Sequence, residues 1–198
     1  MHELRAAIRR AIRAGVDLVQ IREKDLSGRE LMELARWAVK EARGGRAKII
    51  VNDRLDVAIA SGAAGVHLGR ESAAATEVVR WVKRMRGRRA AGFLVGVSCH
   101  SMEEAREAER DGADYIHFGP VFETPSKRKF GKPQGVKKLR EVCEAVRIPV
   151  NAVGGIDARN FERCLRAGAK GVAGIRMFQG KVKNRKAKAN LGIADPQV

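Results

Sequence analysis

The sequence predicts an α/β protein of the TIM-type (β/α) barrel class. Two observations support this class. First, a helix end, a glycine and an apolar strand recur together four times, with the glycines roughly 50 residues apart at Gly15, Gly62, Gly112 and Gly168. Second, a further short apolar run lies in each gap, as expected for strands that are buried on both faces of a parallel sheet.

The predicted strands alternate with amphipathic helices along the chain. Ser27 and Glu30 have the spacing of a capping box, which predicts the start of a helix, and Ser101 and Glu104 repeat this pattern. The predicted strands are, in order, LVQIR, KIIVND, GVHLG, FLVGVS, YIHFGP, IPVNAVGG and GVAGIR.

These seven strands are one fewer than a closed eight-stranded barrel needs. Every second strand follows an Ala-Gly or Gly-Ala turn, and the first predicted strand is already one of these. A regular alternation would therefore place one more strand before residue 1. We therefore expect a barrel over residues 1–178 that lacks its first strand. Few apolar positions follow GVAGIR, so we expect a weak last helix and a basic C-terminal tail over residues 179–198.

The composition is typical of one soluble domain. The chain has 198 residues, 44% of them hydrophobic, and no apolar run approaches the length that spans a membrane. The chain opens with a charged helical sequence, so we expect no signal peptide. The three cysteines lack the paired spacing of metal ligands, and we expect a reduced, cytoplasmic protein.

The net charge of +17 favours partners that carry phosphate groups. The basic residues are scattered over most helices, and no aromatic residues interleave with them as in nucleic-acid-binding surfaces. We therefore expect phosphorylated small molecules as partners, without specific nucleic-acid or membrane binding. The sequence leaves open whether the chain forms a homo-oligomer.

Polar residues follow the predicted strands, at the end where barrels of this class carry their chemistry. Gln20 and Arg22 share one face of the first strand, whereas Val19 and Ile21 share the other. A polar pair that faces into a barrel needs a partner, which favours a ligand near the strand end. The alternative is that residues 22–25 form a solvated charged loop.

Asn52 and Asp53 end the second strand. A carboxylate at this place can hold Mg²⁺ by one oxygen while water and substrate phosphate supply the other ligands. The alternative is that Asp53 caps the following helix by accepting a backbone N–H.

Two later segments suit phosphate groups. Thr124 and Ser126 offer hydroxyl donors and Lys127 offers an ammonium group, which together can orient and neutralise an oxyanion. The basic run over residues 127–132 reads equally as a mobile flap or as a solvated surface. Gly154 and Gly155 end a strand where backbone without side chains can approach a phosphate.

In this order and spacing, the segments VQIREKD, VNDRLDVAIASGAAGVHLG, VGVSCHS, GADYIHFGPVFETPSK and IPVNAVGGI resemble the thiamine phosphate synthase family and its thiazole tautomerase relatives. The resemblance covers about residues 1–178. It implies a barrel enzyme that joins hydroxymethylpyrimidine diphosphate to thiazole phosphate and releases pyrophosphate, with Mg²⁺ as cofactor.

The resemblance also implies roles for residues that match the family's motifs. It assigns Gln20 to the pyrimidine ring and Asp53 to Mg²⁺. It assigns Arg22, Lys24 and Asn52 to the diphosphate, and Arg22 also to the catalytic groups.

The remaining implied roles concern the second half of the chain. Ser98 and Lys127 would be catalytic, because they would stabilise the departing pyrophosphate. Thr124, Ser126 and Gly155 would bind the thiazole phosphate. These roles fit a dissociative reaction, in which neutralising the leaving group matters more than a base.

Two positions depart from the pattern of the synthases, and a third departs from that of the tautomerases. Ser72 stands where the synthases usually have an aspartate that is the second metal ligand, so Asp53 would be the single protein carboxylate on Mg²⁺. Arg176 replaces a serine near the thiazole phosphate and can bind phosphate through its two-pronged guanidinium. Pro120 stands where the tautomerases commonly have a histidine.

The leading hypothesis is therefore a thiamine phosphate synthase-like transferase. The alternatives are a thiazole tautomerase or a non-catalytic, degenerate barrel that binds a phosphorylated metabolite. His67, His100 and His117 are the imidazoles near the strand ends, and we interpret each as a core or strand-packing residue.

Overall fold

The structure is a computed structural model that describes residues 1–85, 92–124 and 133–174. Helices and strands alternate along the chain, as the sequence predicts. The elements are α1 (His2–Arg13), β1 (Leu18–Ile21), α2 (Gly28–Glu41), β2 (Lys48–Asn52), α3 (Leu55–Ser61), β3 (Gly65–Leu68), α4 (Ala75–Arg84), β4 (Leu94–Cys99), α5 (Met102–Arg110), β5 (Tyr115–Phe118), α6 (Gly135–Ala145), β6 (Val150–Val153), α7 (Phe161–Arg166) and β7 (Gly171–Ala173).

The strands follow one another in the sheet in chain order, from β1 to β7. Pairing is parallel between β1 and β2, β2 and β3, β5 and β6, and β6 and β7. This order confirms the predicted (β/α) fold class, and the described residues contain the predicted seven strands. The expected last helix and basic tail lie outside the described residues.

The first of two compact units is Met1–Gly96. In β1, Val19 and Ile21 are buried and Gln20 between them is partly exposed, which confirms the predicted alternation of faces. Parallel pairing sets Val19 beside Ile49 and Ile21 beside Val51, both of which are also buried. Matching buried residues on neighbouring strands give this part of the sheet one continuous apolar face.

The second unit is Val97–Val198. Its core joins Ile116 of β5 and Ala152 of β6 to Leu139 and Val142 of α6. Because side chains alternate along a strand, His117 lies on the opposite face of β5 from this core.

The two predicted capping boxes have different outcomes. Ser27 and Glu30 make both reciprocal hydrogen bonds, so the first box is complete. Ser101 accepts the N–H of Glu104 at 3.1 Å, but the Glu104 carboxylate accepts the N–H of His100 at 2.5 Å, so the second box is not completed.

Within the described residues, no helix has the length and apolar character needed to cross a membrane.

Gly65 marks a close approach between two strands of the first unit. A Cβ atom on Gly65 would lie 2.2 Å from the carbonyl oxygen of Leu94. We expect Gly65→Ala to lower the free energy of unfolding by about 1–3 kcal/mol, the usual cost of overpacking. Urea denaturation checks this value. Gly45→Ala is the matched control, because its Cβ would meet Ala42 at an ordinary 3.5 Å; equal stability of the two variants would contradict the close approach.

Burial lowers the pKa of His117 from 6.5 to about 4. The unfolded chain therefore binds a proton between these pH values and the folded protein does not. The free energy of unfolding is therefore highest above pH 6.5. As the pH falls towards 4, protonation of His117 in the unfolded chain lowers it by about 3 kcal/mol at most. We expect His117→Gln to flatten the pH dependence of unfolding in this window, whereas His2→Gln at the exposed N-terminus should leave it steep. Urea titrations between these pH values measure both slopes.

Candidate active site

Asp53 is the centre of a polar cluster at the carboxyl ends of β2 and β3. Its carboxylate accepts the Asn52 side-chain N–H at 2.7 Å and the Ser72 hydroxyl. The Gly69 N–H donates to the Ser72 oxygen at 2.6 Å and reaches the Asp53 carboxylate at 3.5 Å. The cluster joins two segments that are distant in the chain, residues 52–53 and residues 69–72, because parallel pairing aligns the ends of neighbouring strands.

The alternative role of Asp53 as a helix cap is not supported. Helix α3 has Arg54 at its N-cap position and no side-chain capping bond. Asp53 has φ of 59°, a left-handed conformation that is uncommon outside glycine and that costs conformational energy. The carboxylate that this backbone holds is exposed and points to Ser72 and Asn52 rather than to the helix.

The cluster suits a hard cation held by few protein ligands. Mg²⁺ prefers oxygen ligands and is commonly bound by one or two carboxylates together with water and substrate phosphates. Asp53 supplies one carboxylate and Ser72 one hydroxyl oxygen in direct contact with it. No group of three or more His, Cys, Asp or Glu side chains converges in the described residues. The donor set therefore fits Mg²⁺ that takes most of its ligands from elsewhere.

The other predicted residues of the first unit lie on or after β1. The Gln20 amide nitrogen is buried and has no hydrogen-bond partner among the residues that the structure describes, which is costly for an amide group. Gln20 pairs in register with Ile50 of β2, two residues before Asn52. Arg22 and Lys24 are exposed, and neither makes an ion pair within the described residues, so the solvated-loop interpretation of residues 22–25 stays open.

In the second unit, the segment Gly119–Thr124, which we call the β5 loop, is held on several sides. The Val121 and Phe122 N–H groups donate to Val153 and Gly154 carbonyls at 2.9 and 3.0 Å. The Gly119 N–H donates to the Cys99 carbonyl at 3.2 Å. These bonds fix the loop between the carboxyl ends of β4 and β6.

Gly154 and Gly155 are required by their contact with the β5 loop. Both have positive φ, 94° and 67°. A Cβ on Gly154 would lie 2.6 Å from Pro120, and one on Gly155 would lie 2.5 Å from the Glu123 carbonyl oxygen. The glycine pair therefore has a structural role that the sequence analysis did not identify, in addition to the predicted approach to phosphate.

The remaining predicted residues divide into two groups. Ser98 and Thr124 are described, and both are partly buried at the ends of β4 and of the β5 loop. Ser126, Lys127 and Arg176 lie outside the described residues. Pro120 stands where the tautomerases commonly have a histidine. It is buried, and its peptide bond with Gly119 is cis.

The three histidines have different environments. His67 is 2% exposed, and the ring of His117 lies 5.4 Å from that of Tyr115, so both match the strand-packing interpretation. His100 does not: its Nδ1 lies 2.5 Å from the Gly119 carbonyl oxygen of the β5 loop. The SCHS sequence gave no local signal for this contact, because its partner is 19 residues away.

In each unit, polar residues or glycine-rich backbone follow the carboxyl ends of parallel strands, the place where enzymes of the (β/α) fold class carry their chemistry. The family model described as thiamine monophosphate synthase matches residues 1–178. This chain belongs to that family.

Individual relatives agree with the family assignment. The thiamine-phosphate synthase of Methanocella arvoryzae is 44% identical over 84% of this chain and 76% of its own length. That of Halalkalibacterium halodurans is 39% identical over 89% of this chain and 81% of its own. Thiamine phosphate pyrophosphorylase from Pyrococcus furiosus superposes with a TM-score of 0.80 at 35% identity, covering 94% of this chain and 86% of that structure.

The contact between Ser72 and Asp53 predicts how a second carboxylate would act. Ser72→Asp would set two carboxylates side by side, and a divalent cation would relieve their repulsion. We expect this variant to bind Mg²⁺ roughly tenfold more tightly than wild type, whereas Asp53→Ala should abolish Mg²⁺ binding. Calorimetric titration, with and without pyrophosphate, measures both.

Ser72→Asn is the matched control, because asparagine has nearly the size of aspartate but carries no charge. Wild-type protein without substrate should bind Mg²⁺ weakly. Tight binding to substrate-free wild type that Asp53→Ala leaves unchanged would place the metal elsewhere.

Proposed function

We propose that this chain acts as a thiamine-phosphate synthase, which couples hydroxymethylpyrimidine diphosphate to thiazole phosphate and releases pyrophosphate. The observation that carries the proposal is its identity of 39–44% with thiamine-phosphate synthases over 84–89% of the chain. The Asp53 cluster supports it, since a diphosphate substrate would complete the ligands of a cation held by one carboxylate.

The proposed reaction breaks one bond and forms one. The carbon–oxygen bond between the pyrimidine methylene and the diphosphate breaks, and pyrophosphate leaves with the electron pair. The thiazole nitrogen then donates its lone pair to the methylene carbon, which gives a positively charged thiazolium. Because negative charge develops on the leaving group, cationic and hydrogen-bonding groups near it lower the barrier.

Residues of the first unit are proposed to handle the pyrimidine diphosphate. The Gln20 amide nitrogen, which has no partner in the described part of the chain, would bind the pyrimidine ring, and this bond would satisfy a group that is otherwise costly to bury. Arg22 and Lys24, which are exposed and without ion-pair partners in the described residues, would neutralise the diphosphate together with Asn52. Mg²⁺ held by Asp53 would supply further charge neutralisation.

Residues of the second unit are proposed to handle the leaving group and the thiazole phosphate. Ser98 and Lys127 would stabilise the departing pyrophosphate. Thr124, Ser126 and the Gly155 backbone would bind the thiazole phosphate, joined by Arg176 in place of the family's serine. The fixed β5 loop supports the assignment of Thr124, because a rigid segment orients a hydroxyl at little entropic cost.

We also propose that the protein works in the reducing cytoplasm. All three cysteines are free. Burial raises the pKa of Cys99 to about 12, and that of Cys143 and Cys164 to about 11, so these thiols stay protonated and unreactive.

The proposal predicts a specific product. Purified protein with both phosphorylated substrates and Mg²⁺ should form thiamine phosphate and pyrophosphate in equal amounts, as measured by chromatography and a pyrophosphate assay. Omission of Mg²⁺ is the control. Isomerisation of a thiazole carboxylate phosphate without pyrophosphate release would indicate a tautomerase, and binding without turnover would indicate a degenerate barrel.

Lys127 should affect turnover more than folding, because it is assigned to charge that develops in the transition state. We expect Lys127→Ala to lower kcat by about 10²-fold, the usual effect of losing one oxyanion-stabilising donor. Lys132→Ala in the same basic run is the matched control and should retain activity. An unchanged kcat in Lys127→Ala would assign Lys127 to a solvated surface.

A further inference from the structure

His100 joins two strand ends of the second unit. It lies directly after β4, which ends at Cys99, and before Ser101, the N-cap of α5. Its backbone N–H donates to the Glu104 carboxylate at 2.5 Å, and its ring Nδ1 lies 2.5 Å from the Gly119 carbonyl oxygen. Because a carbonyl oxygen only accepts, Nδ1 carries the proton in this bond.

Gly119 is the point at which the β5 loop begins. Its N–H donates to Cys99 and its carbonyl accepts from His100, so both of its backbone groups are bound to consecutive residues at the end of β4. Gly119 is buried, and a Cβ there would lie 2.0 Å from the Val153 carbonyl oxygen. Loss of the imidazole would leave a buried carbonyl without its side-chain donor, which is costly and favours displacement of the loop.

We propose that His100 is a positioning residue for substrate binding. Its Nδ1–H bond to Gly119 sets the start of the β5 loop and thereby the placement of Thr124 at the loop's end. The inference rests on the proposed function, in which Thr124 binds the thiazole phosphate. A displacement of about 1 Å in such a group is enough to weaken a phosphate contact substantially.

The proposal predicts an effect on one substrate. Loss of the His100 bond should raise the KM for thiazole phosphate roughly tenfold, the effect of one lost hydrogen bond. The KM for the pyrimidine diphosphate should change less than twofold, because the groups assigned to binding it, rather than to its departing pyrophosphate, are Gln20, Arg22, Lys24 and Asn52 of the first unit. A residue that served stability alone would not separate the two KM values.

Three substitutions test which ring nitrogen matters. His100→Ala removes the donor. In His100→Asn the amide nitrogen lies near the position of Nδ1 and can donate to Gly119, whereas in His100→Gln it lies near that of Nε2. We expect Asn to restore the KM for thiazole phosphate to within about threefold of wild type, and Ala and Gln to leave it raised.

Hydrogen–deuterium exchange gives a measure that does not depend on activity. The Val121 and Phe122 amides are bonded to Val153 and Gly154, so displacement of the β5 loop should speed their exchange. Exchange should rise in His100→Ala and His100→Gln and stay near wild type in His100→Asn. If wild-type protein makes no thiamine phosphate, the proposed function fails, while the exchange pattern still tests the positioning role.

Three outcomes would overturn the inference. The first is unchanged exchange and unchanged KM in His100→Gln. The second is a KM for thiazole phosphate that is restored in His100→Gln and not in His100→Asn, which would indicate a role for Nε2. The third is an equal rise of both KM values in all variants, in parallel with their loss of thermal stability. If His100→Ala does not fold, the comparison of Asn with Gln decides.

Discussion

Parallel strand pairing is the constraint on which the candidate site depends. In a parallel pair, neighbouring strands end at the same edge, so residues that follow each strand meet even though a helix separates them in the chain. In the first unit, this pairing brings Asn52 at the end of β2, and Asp53 directly after it, to Gly69 after β3. In the second unit, it brings the β5 loop beside Gly154 after β6.

In the Asp53 cluster, hydrogen bonds orient a charged group at such an edge. An exposed carboxylate in a left-handed backbone conformation is not a stabilising arrangement by itself. Hydrogen bonds from Asn52 and Ser72 orient it, and the Ser72 hydroxyl adds no charge of its own. In the proposed metal site, this arrangement would leave one negative charge for Mg²⁺ to neutralise, whereas two carboxylates at the same place would repel each other without the metal.

The β5 loop differs from the Asp53 cluster, because close contacts between main chains hold it in place. Glycines at positions 119, 154 and 155 let main chains approach to distances that any side chain would prevent. The loop is further covered on one side by Arg163, whose guanidinium lies 5.3 Å from the Phe122 ring. A loop that is fixed in this way can present hydroxyl and amide donors to a phosphate without a large loss of conformational entropy on binding.

The sequence by itself determined the (β/α) class, the positions of the seven strands and the buried face of β1, because turn glycines and two-residue alternation are local properties of the chain. It also identified Asp53 as a strand-end carboxylate. The tertiary structure decided that Ser72 contacts Asp53, that Glu104 binds the N–H of His100 instead of completing a capping box, and that His100 reaches Gly119. Two of these contacts join residues that are 19 apart in the chain, which no local pattern encodes. In the third, Glu104 accepts from the N–H of His100 and not from that of its neighbour Ser101, a choice that the spacing of a capping box does not decide.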